Sequence, residues 1–203
     1  RIERRNTTSG QSPYAGINFR LTTSEIRNPD GSVVFRAENV EVPEFWSQVA
    51  SDVLAQKYFR KAGVAARLKK VEEETVPSWL WRSVPDTEAL ASLPENERIV
   101  GETSAKQVFD RLAGCWTYWG WKGGYFSSEE DALAFFDELR FQLAKQMVAP
   151  NSPIALAKPS TMPASTASVA EISDHQKPGM LRAQNVTISP PIPEIRNIQP
   201  RKW

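Results

Sequence analysis

Apolar and polar positions alternate near the start of the chain and then change to helical spacing. Ile17, Phe19 and Leu21 are separated by polar residues, the period of a half-buried strand. Glu25-Ile26-Arg27 and Val33-Val34-Phe35 bracket Asn28-Pro29-Asp30-Gly31, whose residue types favour chain reversal, so a β-hairpin is predicted. Pro43 suits the first turn of a helix. Trp46, Val49, Ala50, Val53, Leu54 and Tyr58 then recur at spacings of three and four. That spacing predicts one apolar helix face through about Arg60, with Gly63 as the stop.

Charges from Lys69 to Glu74 read as a solvated stretch, and Pro77-Ser78-Trp79-Leu80-Trp81 as an irregular segment that buries its two tryptophans. Thr103 or Ser104 caps a short helix carrying Val108, Phe109 and Leu112, which Gly114 ends. Ser127 and Glu130 form a capping box, and Glu129, Glu130 and Asp131 favour the helix N-terminal dipole. Leu133, Phe136, Leu139 or Arg140, Leu143 and Met147 continue an apolar stripe until Pro150. The fold class expected is mainly α with an N-terminal β-hairpin.

Composition divides the chain. Nine of the fifteen prolines lie at or beyond Pro150, and residues 151–203 hold one aromatic, Trp203. That stretch carries a net charge of +3, against −2 for the rest. So few large apolar groups cannot offset ordering entropy, so residues 154–203 are expected to be an extended or disordered Pro-rich tail, with one short strand-like segment at Asn185–Ile188. No apolar run approaches the ~20 residues of a membrane span, and nothing at the N-terminus resembles a secretory segment. One cysteine, Cys115, and one histidine, His175, exclude an internal disulfide, a Cys-rich metal site and a His-based cluster. A cytoplasmic chain with no cofactor or metal of its own is the expectation.

The candidate chemistry is concentrated between Arg111 and Phe126. Trp116, Tyr118, Trp119, Trp121, Tyr125 and Phe126 are threaded by Gly114, Gly120, Gly123 and Gly124. Two readings are open: a core-filling loop with glycine turns, or a surface on which nucleotide or single-stranded nucleic-acid bases stack. Stacking surfaces usually lie in a basic groove, and Trp116 to Phe126 holds only Lys122 as a basic residue, which favours packing. Cys115, among tryptophans and without a nearby histidine, reads as inert packing. Glu72-Glu73-Glu74 point in different directions on any helix and read as solvated, as do Asp137 and Glu138. The basic ends, Arg1-Ile2-Glu3-Arg4-Arg5 and Arg196 to Lys202, read as solubilising.

Several blocks, in order, resemble the N-terminal region of adenosylcobalamin-dependent (class II) ribonucleotide reductase. They are Ile2-Glu3-Arg4-Arg5, Ser24-Glu25-Ile26-Arg27-Asn28-Pro29-Asp30-Gly31, Trp46-Ser47-Gln48-Val49-Ala50 through Gly63, and Val76-Pro77-Ser78-Trp79-Leu80-Trp81. The longest runs from Gly101-Glu102-Thr103-Ser104 through Phe126, and Ala149-Pro150-Asn151-Ser152-Pro153 closes the likeness. The resemblance implies an N-terminal helical domain over residues 1–153 that buttresses a ten-stranded barrel and leads into its substrate pocket. By the same resemblance the full protein reduces ribonucleotides to deoxyribonucleotides with adenosylcobalamin, through a cysteine thiyl radical.

Past Pro153 the likeness stops, and Ile154-Ala155-Leu156-Ala157-Lys158 follows. The family's catalytic cysteines and cobalamin surface belong to the barrel, so no catalytic, cofactor or metal residue is assigned, and Cys115 lies outside the family's cysteine motifs. The resemblance carries over one position: Ser152, in the Asn-Ser-Pro turn where the family binds the substrate's phosphates, is a substrate-binding candidate. The partners implied are the remainder of a reductase or a larger assembly that the tail wraps.

Overall fold

The computed structural model describes residues 1–149. Ser152, His175, the segment Asn185–Ile188 and the rest of the Pro-rich tail lie outside the described residues. Helices take 38% and strands 21% of what is described, so strands contribute more than a mainly α fold implies.

The hairpin forms as the turn sequence predicts. Strand β1 (Phe19–Arg27) pairs antiparallel with β2 (Val33–Pro43), placing Phe19 opposite Pro43 and Ile26 opposite Phe35. The Gly31 N–H donates to the Asn28 carbonyl at 2.9 Å, and Gly31 takes φ +85°, a conformation glycine adopts without steric cost. Pro43 ends β2 instead of opening a helix. A strand end tolerates its missing N–H, and Ser47 provides the cap by accepting from the Ala50 N–H.

Helix α1 (Gln48–Val53) continues as a π-helical turn, Leu54–Tyr58. Its apolar face is narrower than the spacing predicts. Trp46 and Leu54 are buried, whereas Val49 is 72% exposed and Val53 45% exposed. The widened turn changes the angular spacing, and the element ends at Tyr58, five residues before Gly63.

Short pairs follow: β3 (Val64–Ala65) with β6 (Ile99–Val100), and β4 (Leu68–Lys70) with β5 (Ser83–Pro85). Between β5 and β6 lies the short helix α2 (Thr87–Ala91), capped by Asp86.

Helix α3 spans Ala105–Lys122 and passes through Gly114. The predicted stop fails because burial against two clusters exceeds the ~1 kcal/mol cost of a helical glycine. Ser104 and Gln107 form its capping box. Helix α4 (Glu129–Ala144) starts one residue later than predicted, with Ser128, not Ser127, accepting from the Asp131 N–H. Its stripe ends at Leu143 and Ala144, and Met147 is 61% exposed.

Hairpin base, α1, α3 and α4 enclose the main core, including Val40, Val42, Trp46, Phe109, Leu112 and Leu143. The Trp46 indole donates to the Ala144 carbonyl at 2.8 Å, fixing the start of α1 against the end of α4.

The basic N-terminus is not a solvated end. Glu138 Oε1 accepts from three successive backbone N–H groups, Arg5 at 3.0 Å and Asn6 and Thr7 each at 2.8 Å. The Thr7 hydroxyl and Asn6 amide also donate to this carboxylate. Arg4 pairs with Asp137 at 2.6 Å, and the Ile2 N–H donates to Asp131. Asp137 and Glu138, read from sequence as solvated, are therefore buried anchors for a strap across α4.

Burial pushes the Glu138 carboxyl up, but the donors from Asn6 and Thr7 outweigh it and hold it at about 2. A depressed folded-state value makes the strap's stabilisation complete above the ordinary carboxylate range and lost as pH falls toward about 2. Glu138→Gln is expected to cost about 1–3 kcal/mol, the scale for hydrogen bonds to a charged group. Urea unfolding measures the cost, and amide exchange at residues 5–7 should rise with it.

Candidate functional site

A charge inside an apolar helix face needs a partner. Arg111 lies on α3 between Val108 and Leu112, and both it and Glu102 are almost fully buried. Glu102 accepts from Arg111 Nε at 3.0 Å and from its terminal nitrogen at 3.1 Å. The same carboxylate accepts from the Arg60 backbone N–H at 2.8 Å and side-chain Nε at 2.9 Å. Arg111 also donates to the Tyr58 carbonyl. Glu102 thus clasps the end of the π-helical turn to the first half of α3. Burial, together with the neighbouring Arg111 charge, lowers the Arg60 pKa despite the Glu102 carboxylate, which raises it.

Gly101 makes this clasp possible. A Cβ there would lie 2.8 Å from the Lys61 carbonyl oxygen, and the next backbone N–H, that of Glu102, donates to the Arg60 carbonyl at 2.7 Å. Only a residue without a side chain lets the two backbones approach this closely.

Beside the clasp, α1, α3 and the end of α4 enclose a groove of about 330 Å³, partly open to solvent. Ala50, Val53 and Leu54 form one wall, Val108 and Leu112 another, and Leu143, Val148 and Ala149 a third. The lining is apolar apart from Gln146, the Tyr58 hydroxyl and the Trp46 indole nitrogen, which is already engaged. Such a site accommodates aliphatic or aromatic groups and offers no acid–base pair.

The aromatic block is helical to Lys122, and its last members, Tyr125 and Phe126, follow in the turn after the helix; Trp119 and Tyr125 are exposed. Tyr118 and Cys115 are buried with Val76 and Leu80 in a second cluster, flanked by Trp79, Trp81, Trp116 and Trp121. The polar tips hold the 73–81 segment in place. Trp121 donates to the Thr75 carbonyl at 2.7 Å, Trp81 to the Val76 carbonyl at 2.8 Å, and the Tyr118 hydroxyl to Glu73 at 2.8 Å. In the irregular segment Leu80 is the buried residue, whereas Trp79 and Trp81 are half-buried.

Glu73 is not part of a solvated run: burial pushes its carboxyl up, but Arg82 and Tyr118 outweigh this and hold it low. Burial and the Glu73 hydrogen bond push the Tyr118 phenol up to about 12. Burial pushes the Cys115 thiol up to about 11 despite nearby Arg111, so at neutral pH it is a packed thiol, not a nucleophile. Among the described residues no group of three or more His, Cys, Asp or Glu is placed to hold a metal ion. No helix there is long and apolar enough to cross a membrane.

The residues of the clasp and of the aromatic block fall within a stretch that matches known proteins. The model of the class II vitamin B12-dependent ribonucleotide reductase family matches residues 20–146, more than half of the chain. This chain belongs to that family. It is 84% identical over 153 residues to a vitamin B12-dependent ribonucleotide reductase of Bradyrhizobium diazoefficiens and 69% identical over 153 residues to one of Agrobacterium fabrum. A more distant relative of the same name, from Streptomyces coelicolor, is 31% identical over 155 residues. The match takes in 75% of this chain but 12% of the length of the first two relatives, and 76% and 13% for the third.

The groove does not fit the corrinoid that the relatives' name implies. A corrin ring is fringed with amide groups that need polar partners, and these walls are almost wholly apolar.

Of the positions singled out in the sequence, Ser152 lies outside the described residues, and Cys115, Trp116, Tyr118 and Trp121 pack in or against the second cluster. Glu102 and Arg111 carried no prior reading. The available signal was a cation in line with the apolar face of α3, nine residues after a Gly-Glu pair.

Glu102→Ala is expected to cost about 3–5 kcal/mol by leaving buried guanidinium groups without their carboxylate. Gly101→Ala should cost about 1–3 kcal/mol by forcing the two backbones apart. Chemical denaturation of both variants checks these values.

Proposed function

We propose that this chain is an N-terminal segment of a vitamin B12-dependent ribonucleotide reductase and that its role is structural. In this reading residues 1–153 form the helical domain that buttresses the barrel, and the complete enzyme converts ribonucleotides to deoxyribonucleotides. Adenosylcobalamin would supply radical initiation there, bound by residues beyond this domain. The observation that carries the structural role is the use of the polar side chains. Glu102, Arg111, Glu73 and Glu138 are each engaged in holding elements together, and the thiol of Cys115 is buried with a raised pKa.

Asn151-Ser152-Pro153 is separated in the sequence by Pro150 alone from Ala149 of the groove wall. In the complete enzyme the Ser152 hydroxyl and backbone N–H suit a substrate phosphate. The domain's partner is then the remainder of the reductase, in the same polypeptide or an assembly.

A second reading, a structural subunit of another complex, draws on the exposed apolar residues Val49, Val53 and Met147 near the groove.

The 203-residue chain is expected to form no deoxynucleotide when incubated with ribonucleotides, adenosylcobalamin and a dithiol. Product formation under those conditions would contradict a purely structural role.

A further inference from the structure

The groove between α1 and the end of α4 is partly open to solvent. Val148 and Ala149 form part of its wall. Phe45 is 52% exposed, and Val49, Val53 and Met147 are exposed as well. Val53 lines the groove itself, and Phe45 and Met147 neighbour its lining residues Trp46, Gln146 and Val148 in sequence.

The sequence beyond the wall reads Pro150-Asn151-Ser152-Pro153-Ile154-Ala155-Leu156-Ala157. Four apolar residues therefore follow a four-residue connection. At ~3.3–3.6 Å per extended residue, that connection reaches roughly 13–14 Å, enough to return to a groove whose wall includes Ala149. A segment tethered this closely has an effective concentration in the millimolar range, which favours it over a separate partner of equal intrinsic affinity. The absence of charge in Ile154–Ala157 matches the walls.

We propose that Ile154–Ala157, which lies outside the described residues, docks into this groove, with Ile154 and Leu156 as its apolar anchors. The docked run completes the main core on the side where Leu54, Leu112 and Leu143 face the opening. This occupancy is independent of the reductase reading, because it concerns the chain's own packing.

Disulfide trapping in the full 203-residue chain tests it. Val53→Cys combined with Leu156→Cys is expected to close an intramolecular disulfide under mild oxidation at least ~10-fold faster than Val53→Cys combined with Thr187→Cys. Equal rates would overturn the proposal. A second measurement does not depend on introduced cysteines. The double variant Ile154→Asp, Leu156→Asp should raise amide exchange across residues 48–58 and increase apolar-dye binding, and unchanged exchange would overturn the assignment. Light scattering should report a monomer for the unmodified chain. A concentration-dependent dimer dissolved by Val53→Asp would instead give the groove to a second copy.

Discussion

The carboxylate of Glu102 is the constraint on which the arrangement depends. It holds Arg60 and Arg111 in one buried cluster, and Arg111 reaches from there to the Tyr58 carbonyl. A buried ion pair is weak evidence for net stability, because desolvation offsets much of the attraction, but its geometry is demanding. Here that geometry sets where the π-helical turn ends and how the first half of α3 lies against it. Both elements are walls of the groove, and both contribute to the main core. Gly101 belongs to the same constraint, since its missing side chain lets the two backbones pass.

With its start fixed, α3 serves two clusters. Val108, Phe109 and Leu112 face the hairpin, α1 and α4, while Cys115 and Tyr118 face the 73–81 segment. Within the aromatic block Trp116, Tyr118 and Trp121 thus pack inward, Tyr118 and Trp121 with hydrogen-bonding tips. Its glycines serve packing as well as turning. Gly120 is helical and buried, and a Cβ there would come within 2.6 Å of the Phe126 ring. Phe126 in turn packs on Phe135 of α4, so this close approach helps set the return of the chain.

What the sequence reveals of this fold is local. The hairpin is legible because Asn28-Pro29-Asp30-Gly31 has turn chemistry, and α4 because three acidic residues open it. The continuation of α3 through Gly114 is not legible, because the compensating contacts come from Val76 and Leu80, distant in sequence. Pro43 is ambiguous by type, and its neighbours in space decide for a strand end. The N-terminal strap leaves no pattern at all, since Arg5, Asn6 and Thr7 bond a carboxylate more than 130 residues away. Resemblance located the candidate substrate position, Ser152, whereas the Glu102–Arg111 cluster showed only as one cation in an apolar stripe.

Family membership fits this picture of a domain stabilised throughout by its own polar groups. From Gly114 to Lys122 the glycine-laced aromatic block is a continuation of α3, fastened from Glu102 onward. Native-state hydrogen exchange of the full chain tests it most directly. One block of slow amides from Val108 to Trp121, exchanging together at the rate of the main core, is expected. Fast exchange from Gly114 onward, with protection confined to Val108–Ala113, would contradict it.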